Sequence, residues 1–504
     1  MILPPIKTQR YKFRTHRTPV TANDGPDESA ASEADERGKF SLILPAGVSK
    51  SLTRSVARGV ILSPDEMATV IGSRPQKRAT LIADSVRIRF SQGLLLLLAI
   101  CFVLQVFSPL RLNTDAIVLL SMGESAAQGG GFLDSGQKAV FPPGYPALLA
   151  ILLRLGLAHP WVIVGLNVVF LSVGLFAAYS LLIREFFDDR AVVLTICSFF
   201  LLSYVVVKHF TIPLTDVPFF CCSMCCLAVM SRITKMDWNW RFVILAGAAW
   251  LLAFAAITVR TIGVALLPPL VFMLVSSSQF KLLVERLSLR TKLIVLTVGT
   301  FVVAGTTYVL ANTSYWRILV GVAKRPNISG LILQIFSYRL RELGELFGNF
   351  PITKMPIKLH VVVPWLGLLL LLLILCGLAT KRREINTTGV FIVCYLGILL
   401  VWPYYDARFW LPVIPLLIAY SLLGVKSLRI PKAAITIYCI IFATLGFGVI
   451  AYSTRITFAG DKFPDRYGDG SLRPTYCAAF QSCRDGGDPN KVNAKVLRLL
   501  REYK

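Results

Sequence analysis

The chain alternates between long uncharged apolar runs and short polar junctions. The runs cover residues 94–110, 161–183, 191–207, 217–231, 242–259, 261–280, 293–316, 361–380, 385–405, 409–425 and 433–454. Most are about 17–24 residues long, the length a helix needs to cross the hydrocarbon core of a bilayer. Backbone polar groups in lipid must bond within their own segment, so each run reads as a helix. The pattern predicts an all-α polytopic membrane protein with about eleven transmembrane helices.

The junctions hold apolar residues at other spacings. Ile117, Val118, Leu119, Leu120 and Met122 suit a helix lying in the interface, stopped by Gly129-Gly130-Gly131. Pro142-Pro143 starts a second apolar helix over 145–157, which carries Arg154 and is too short to span comfortably. Leu331, Ile335, Leu340, Leu343 and Phe347 fall at helical spacing inside the basic junction 317–358 and predict a third, amphipathic interfacial helix. A terminal helix is expected over 491–503.

Composition agrees with the pattern. Hydrophobic residues make up 55%, charged residues 16%, and the mean hydropathy is +0.65; a soluble core cannot hide that much apolar side chain. The net charge of +25 would suit nucleic acid, but its placement reads as topology, so no nucleic-acid partner is expected. Lys and Arg collect at every second junction: Arg232/Lys235/Arg241, Lys281/Arg286/Arg290/Lys292, Lys381/Arg382/Arg383 and Lys426/Arg429/Lys432. Arg184 and Arg190 fit more weakly, with Glu185, Asp188 and Asp189 between them. Positive residues mark cytoplasmic loops, so the N-terminus is expected inside and the C-terminus outside. The junction after the first span, with Asp115, then lies on the periplasmic or lumenal face. The basic junction 317–358 goes against this charge rule.

Three regions follow. Residues 1–92 read as a cytoplasmic, largely disordered segment, 93–454 as the membrane domain, and 455–504 as a small extracytoplasmic tail. No apolar stretch precedes Leu94, so no cleavable signal peptide is visible, and Met67 offers an alternative start. Cys221, Cys222, Cys225 and Cys226 fall within a span and read as small fillers rather than metal ligands. Cys477 and Cys483 lie in the polar tail, where a disulfide is possible.

The candidate chemistry gathers at the outer face: Asp115, Asp216, Lys138, Arg260 and Arg408. Carboxylates can act as general bases, and Arg or Lys can hold a phosphate by charge-assisted bonds. Each has a plainer reading beside it. Asp115 and Asp216 could cap helices, Lys138 could be an interface charge, and Arg260 and Arg408 could anchor span ends at headgroups. Glu124 and Asp134 read as solvated, and His209 and His360 as interfacial, without a third ligand for zinc. No metal site is expected; a divalent cation is the one cofactor the carboxylates leave open.

Four stretches in order give the chain a family likeness. They are Asp115 just after the first span, Pro142-Pro143-Gly144-Tyr145-Pro146, Leu214-Thr215-Asp216-Val217-Pro218, and Arg408-Phe409-Trp410-Leu411-Pro412-Val413-Ile414-Pro415. From about residue 94 to 454 the chain resembles the class C (GT-C) membrane glycosyltransferases, in the branch of protein O-mannosyltransferases and lipid A aminoarabinose transferases. The resemblance implies the GT-C fold and a sugar moved from a polyprenyl-phosphate donor to a hydroxyl of a lipid, glycan or protein, with inversion. It implies an active site on the outer face of the cell (inner) membrane. Asp115 would be the catalytic base and Asp216 a second, supporting acid; Lys138, Tyr145, Arg260 and Arg408 are the candidate substrate-binding residues. The chain departs from relatives in having Ala116 where many carry Glu after the Asp. Phe141 stands where the aminoarabinose branch has Lys before the first Pro, and Lys138 lies one turn away.

Two other classes compete. A transporter or lipid flippase would place ionisable residues mid-span and show repeated halves; the spans here are nearly free of charge. A lipid-linked glycan ligase would use a large basic outer loop such as 317–358, without the 115–146 pattern.

Overall fold

The structure is a computed structural model that describes residues 85–234, 236, 239–276, 320–321, 328–382, 384, 386–467, 472–481 and 492–503. All belong to the second of two units, Arg74–Lys504. Most of the expected cytoplasmic segment, the run 293–316 and Cys483 lie outside the described residues.

Among the described residues, seven helices are long and apolar enough to cross a membrane: Ser85–Phe107, Pro160–Glu185, Asp216–Ile233, Trp240–Val259, Ile357–Thr380, Ala407–Ser427 and Lys432–Thr457. Gly144–Arg154, Arg190–Leu202, Thr261–Ser276 and Thr387–Val401 are apolar but shorter. Ten of the eleven apolar runs thus coincide with helices, and the chain is an all-α integral membrane protein. Side chains such as Phe176, Leu251, Phe254 and Trp365 stand exposed on the long helices, as a lipid-facing surface requires.

We number the helices used below α1 (Ser85–Phe107), α2 (Thr114–Ala127), α3 (Gly144–Arg154), α4 (Pro160–Glu185), α5 (Arg190–Leu202), α6 (Tyr204–His209), α7 (Asp216–Ile233) and α8 (Trp240–Val259). After α9 (Leu267–Ser276) come α10 (Ile328–Gly348), α11 (Val362–Thr380), α12 (Thr387–Val401), α13 (Ile414–Ser427) and α14 (Lys432–Thr457). The tail adds α15 (Phe463–Arg466), α16 (Arg473–Phe480) and α17 (Ala494–Glu502). A two-residue antiparallel hairpin pairs β1 (Leu133–Asp134) with β2 (Gln137–Lys138).

Apolar residues of the long and the shorter helices form one core, to which Phe200, Phe219, Phe391 and Trp410 contribute. A second core sits at one end, where α2 and α3 pack with the tail: Leu119, Tyr145, Leu149, Phe463, Tyr476, Leu499 and Tyr503 are buried together. The helices expected to lie in the interface are therefore covered by protein on one face. Glu124 corrects the sequence reading: it is 7% exposed and bonded by Arg498 of α17 at 2.5 Å.

Two further differences have local causes. The run 191–207 is not one helix: Ser203 is extended, with φ −64° and ψ 128°. Asn349 fills the gap, accepting from the Tyr204 N–H at 2.7 Å and donating to the Leu202 carbonyl at 3.1 Å. Two of the backbone groups freed by the break are thereby satisfied, as a low-dielectric setting favours. The basic junction does form the amphipathic helix α10, but it packs on α11. A Cβ at Gly344 would overlap the Val363 carbonyl, and one at Gly367 the Leu340 carbonyl. That close crossing buries Arg339, Glu342 and Glu345, each under 5% exposed.

Candidate functional site

The segment between α1 and α2 is held tightly. Arg111, 3% exposed, donates to Ser108 Oγ at 2.9 Å, Ser453 Oγ at 2.8 Å, the Ser453 carbonyl at 3.0 Å and Thr457 Oγ1 at 2.8 Å. Asn113 then caps α2, its Oδ1 accepting from the Ala116 N–H at 2.8 Å. Asp115 is thus not the cap. It sits one residue inside the helix, where the macrodipole favours a carboxylate, and its side chain pairs with Arg408.

Asp216 opens α7 and makes no cap bond of its own. Its carboxylate, 1% exposed, pairs with Arg260, and its Oδ2 is buried without a hydrogen-bond partner. Arg260 ends α8, and Gly263 lets the chain turn back at once: a Cβ there would meet the backbone of Ala256 and Ile257 at 2.7 Å. Gly144 of the Pro-Pro-Gly-Tyr-Pro stretch lies against the same helix end, where a Cβ would meet the Thr258 backbone at 2.7 Å. The motif thereby fastens the start of α3 two residues from Arg260.

Arg408 lies in a 3-10 helix, Ala407–Val413, capped by Asp406. Asp406 accepts from the Arg408 N–H at 3.0 Å, and its Oδ2 lies 2.7 Å from Arg408 Nε. Phe409 sits between the two arginines, 5.2 Å from the Arg260 guanidinium and 5.6 Å from that of Arg408. Tyr395 holds the Phe409 carbonyl at 2.6 Å. Burial alone would raise the Asp406 carboxyl, but the charges of Arg408 and Lys208 and the Arg408 N–H outweigh it and hold it below its ordinary value.

The site therefore contains two carboxylate–arginine pairs flanking one aromatic ring. Asp115 is the more open, with its side chain 26% exposed against 13% for both arginines. Four of the six residues singled out in the sequence come together here: Asp115, Asp216, Arg260 and Arg408. The other two stand apart. Lys138 is exposed on β2, and Tyr145 is buried in the second core, 3% exposed; no described contact joins either to the pairs.

The sequence reading missed three neighbours. His209 is 5% exposed rather than interfacial. Burial, and then the Lys208 charge, push its imidazole down to about 4 against the opposing charges of Asp406 and Asp216. Its Nδ1 faces the Val205 carbonyl at 2.9 Å, so Nδ1 carries the proton and Nε2 is the free acceptor. Glu342 accepts from the Asp406 N–H and from Trp410 Nε1, both at 2.7 Å, and forms an ion pair with Arg339 Nη1 at 2.9 Å. Burial pushes its carboxyl up to about 8, against the Arg339 charge and these donors. Glu345 takes the hydroxyls of Tyr204 and Tyr405 and the Ile352 N–H. Their signal was present as two acids three residues apart on one helical face, a spacing that puts them side by side.

Among the described residues no group of three or more His, Cys, Asp or Glu side chains is placed to hold a metal ion. Cys221, Cys222, Cys225 and Cys226 are free thiols, while Cys477 is disulfide-bonded.

No family model matches the chain, and no curated protein matches it. Solved structures do resemble it. ArnT from Cupriavidus metallidurans in the apo state is 16% identical over 79% of this chain and 69% of its own, with a TM-score of 0.41. The same protein bound to undecaprenyl phosphate gives 15% identity over 78% and 70%, with a TM-score of 0.37. The archaeal oligosaccharyltransferase AglB from Archaeoglobus fulgidus, in complex with an inhibitory peptide and a dolichol-phosphate, gives 13% identity and a TM-score of 0.43. That match covers 79% of this chain and 58% of AglB.

Proposed function

We propose that this chain is a GT-C glycosyltransferase that moves a sugar from a polyprenyl-phosphate donor to a hydroxyl of a lipid, glycan or protein. The reaction takes place at the extracytoplasmic face of the cell membrane, and Asp115 is the general base. The observation that carries this reading is the pair of carboxylate–arginine contacts around Phe409, gathered at one end of a membrane-embedded bundle from four distant parts of the chain.

The chemistry follows from what each group can do. An acceptor hydroxyl attacks the anomeric carbon while the bond from that carbon to the phosphate oxygen breaks. The electron pair leaves with the phosphate, which needs no proton at neutral pH. Attack from the face opposite the leaving group inverts the centre. Asp115 takes the hydroxyl proton, a role suited to a carboxylate at a helix start with an exposed edge. At rest Arg408 is bound to Asp115 and Asp406. A lipid phosphate competes for that guanidinium, so donor binding both neutralises the leaving group and releases the base. Arg260, held by the buried Asp216, supplies the second cation. Asp216 orients and is not itself consumed.

The test is release of polyprenyl phosphate from a panel of polyprenyl-phosphate-linked hexoses and pentoses by purified protein in liposomes. Asp115→Asn is expected to fold normally and lose transfer. Full activity of that variant would remove Asp115 from the mechanism.

A further inference from the structure

The backbone that carries Asp115 is gripped from outside the membrane bundle. We infer that the C-terminal tail is a brace for the catalytic helix, and that Tyr476 and Tyr467 are positioning residues acting through Leu112 on Asp115. The inference rests on the function proposed above.

The Tyr476 hydroxyl, fully buried, does two jobs at once. It donates to the Leu110 carbonyl at 2.8 Å and accepts from the Leu112 N–H at 2.9 Å. Tyr467 donates its hydroxyl to the Leu112 carbonyl at 3.0 Å. Both polar groups of Leu112 are thus bound by the tail. Leu112 directly precedes Asn113, the cap of α2, and lies three residues before Asp115. Fixing this peptide fixes where the helix starts and where the Asp115 side chain leaves it.

The two tyrosines are themselves set by an aromatic cluster. Phe463 lies 5.2 Å from Tyr467, 5.7 Å from Tyr476 and 5.6 Å from Phe480. The Arg111 guanidinium stands 5.8 Å over Tyr467, which ties the cluster to the membrane helix α14 through Ser453 and Thr457.

The tail holds the far parts of the same loop as well. Arg498 binds Glu124 in the last turns of α2 at 2.5 Å. Lys495 pairs with Asp134 on the hairpin and donates to Ser135 Oγ at 3.1 Å. These contacts span three places in one loop, so they resist both sliding and tilting of α2. Catalytic groups lose effect quickly when misplaced: about 1 Å can cost roughly a hundredfold in rate.

Two readouts on the full-length protein in liposomes test this. Tyr476→Phe removes one oxygen and keeps the ring. Amide exchange is expected to quicken at Leu112, Ala116 and Ile117. With any donor from the panel that wild type turns over, kcat should fall about tenfold while KM stays within about twofold. Tyr476→Phe combined with Tyr467→Phe should lose more. Tyr452→Phe, whose hydroxyl bonds Arg466 instead, should match wild type. In an Asp115→Asn background Tyr476→Phe should cost nothing further, because the group being positioned is gone. Unchanged exchange across 110–118, or unchanged kcat in Tyr476→Phe, overturns the brace. If wild type turns over no donor, the glycosyltransferase reading falls, and the exchange result alone decides whether the tail holds α2.

Discussion

Two groups of charged side chains meet on the segment from Tyr404 to Trp410, and they are built to different rules. On one side Glu342 takes two hydrogen bonds and the Arg339 ion pair, Glu345 takes three hydrogen bonds, and both are under 5% exposed. On the other, Asp115 is a quarter exposed with Arg408 as its ion-pair partner, and one oxygen of Asp216 is bare. All four carboxylate oxygens of the first group are already engaged within the protein. The second has cations whose present partners an incoming anion can replace. Asp406 joins them: its N–H goes to Glu342 and its carboxylate to Arg408. The filled group thus aims the unfilled one. Similar residue types do opposite work according to how completely they are bonded.

The contrast can be broken by substitution. The largest effect is expected from Asp115→Asn, which should lower transfer by roughly a hundredfold to ten-thousandfold with little change in melting temperature. Glu342→Ala should act the other way. Leaving Arg339 buried without its partner is expected to cost about 3–5 kcal/mol, read as a fall in melting temperature. If Glu342→Ala instead left stability intact, the division between filled and unfilled groups would be wrong. Arg408→Lys keeps a positive charge but loses the fork that spans Asp115 and Asp406, and should reduce kcat about a hundredfold.

The smallest effect belongs to the tail. Burial, helped by Glu502 and opposed by Arg498, pushes the Glu124 carboxyl up from 4.5 to about 7. A carboxyl with a raised folded value favours the folded form while protonated. Its contribution is therefore complete below about 4.5 and is lost as pH rises through about 7. Tail docking should weaken between pH 5 and 8, measured by proteolysis or amide exchange of α17. Glu124→Gln should flatten that dependence, and an unchanged slope would assign it to another group.

Much of this was legible in the sequence, for identifiable reasons. Long uncharged runs have few solutions other than membrane helices, so element type and order followed directly. Asp115, Asp216, Arg260 and Arg408 were found because each is a charge at the edge of an apolar run. The rest was hidden by distance. Glu124 looks solvated until Arg498, 374 residues later, is folded against it. Glu342 and Glu345 sit in a basic junction of the sequence, and the glycine crossing that buries them needs the partner helix in place. Lys138 was weighed as a stand-in for a Lys before Pro142, and Tyr145 as part of the Pro-Pro-Gly-Tyr-Pro stretch, yet the hairpin leaves one exposed and the second core encloses the other.

The interruption at Ser203 has its own consequence. A single carboxamide, Asn349, does there what a turn of helix would do, and it also reaches the Phe442 carbonyl at 3.0 Å. One side chain thus ties α5, α6 and α14 together at the joint. The short piece beyond it, α6, restarts after the break instead of continuing α5. An unbroken rod would have steered Lys208, His209 and the approach to Asp216 wherever its deeper end pointed.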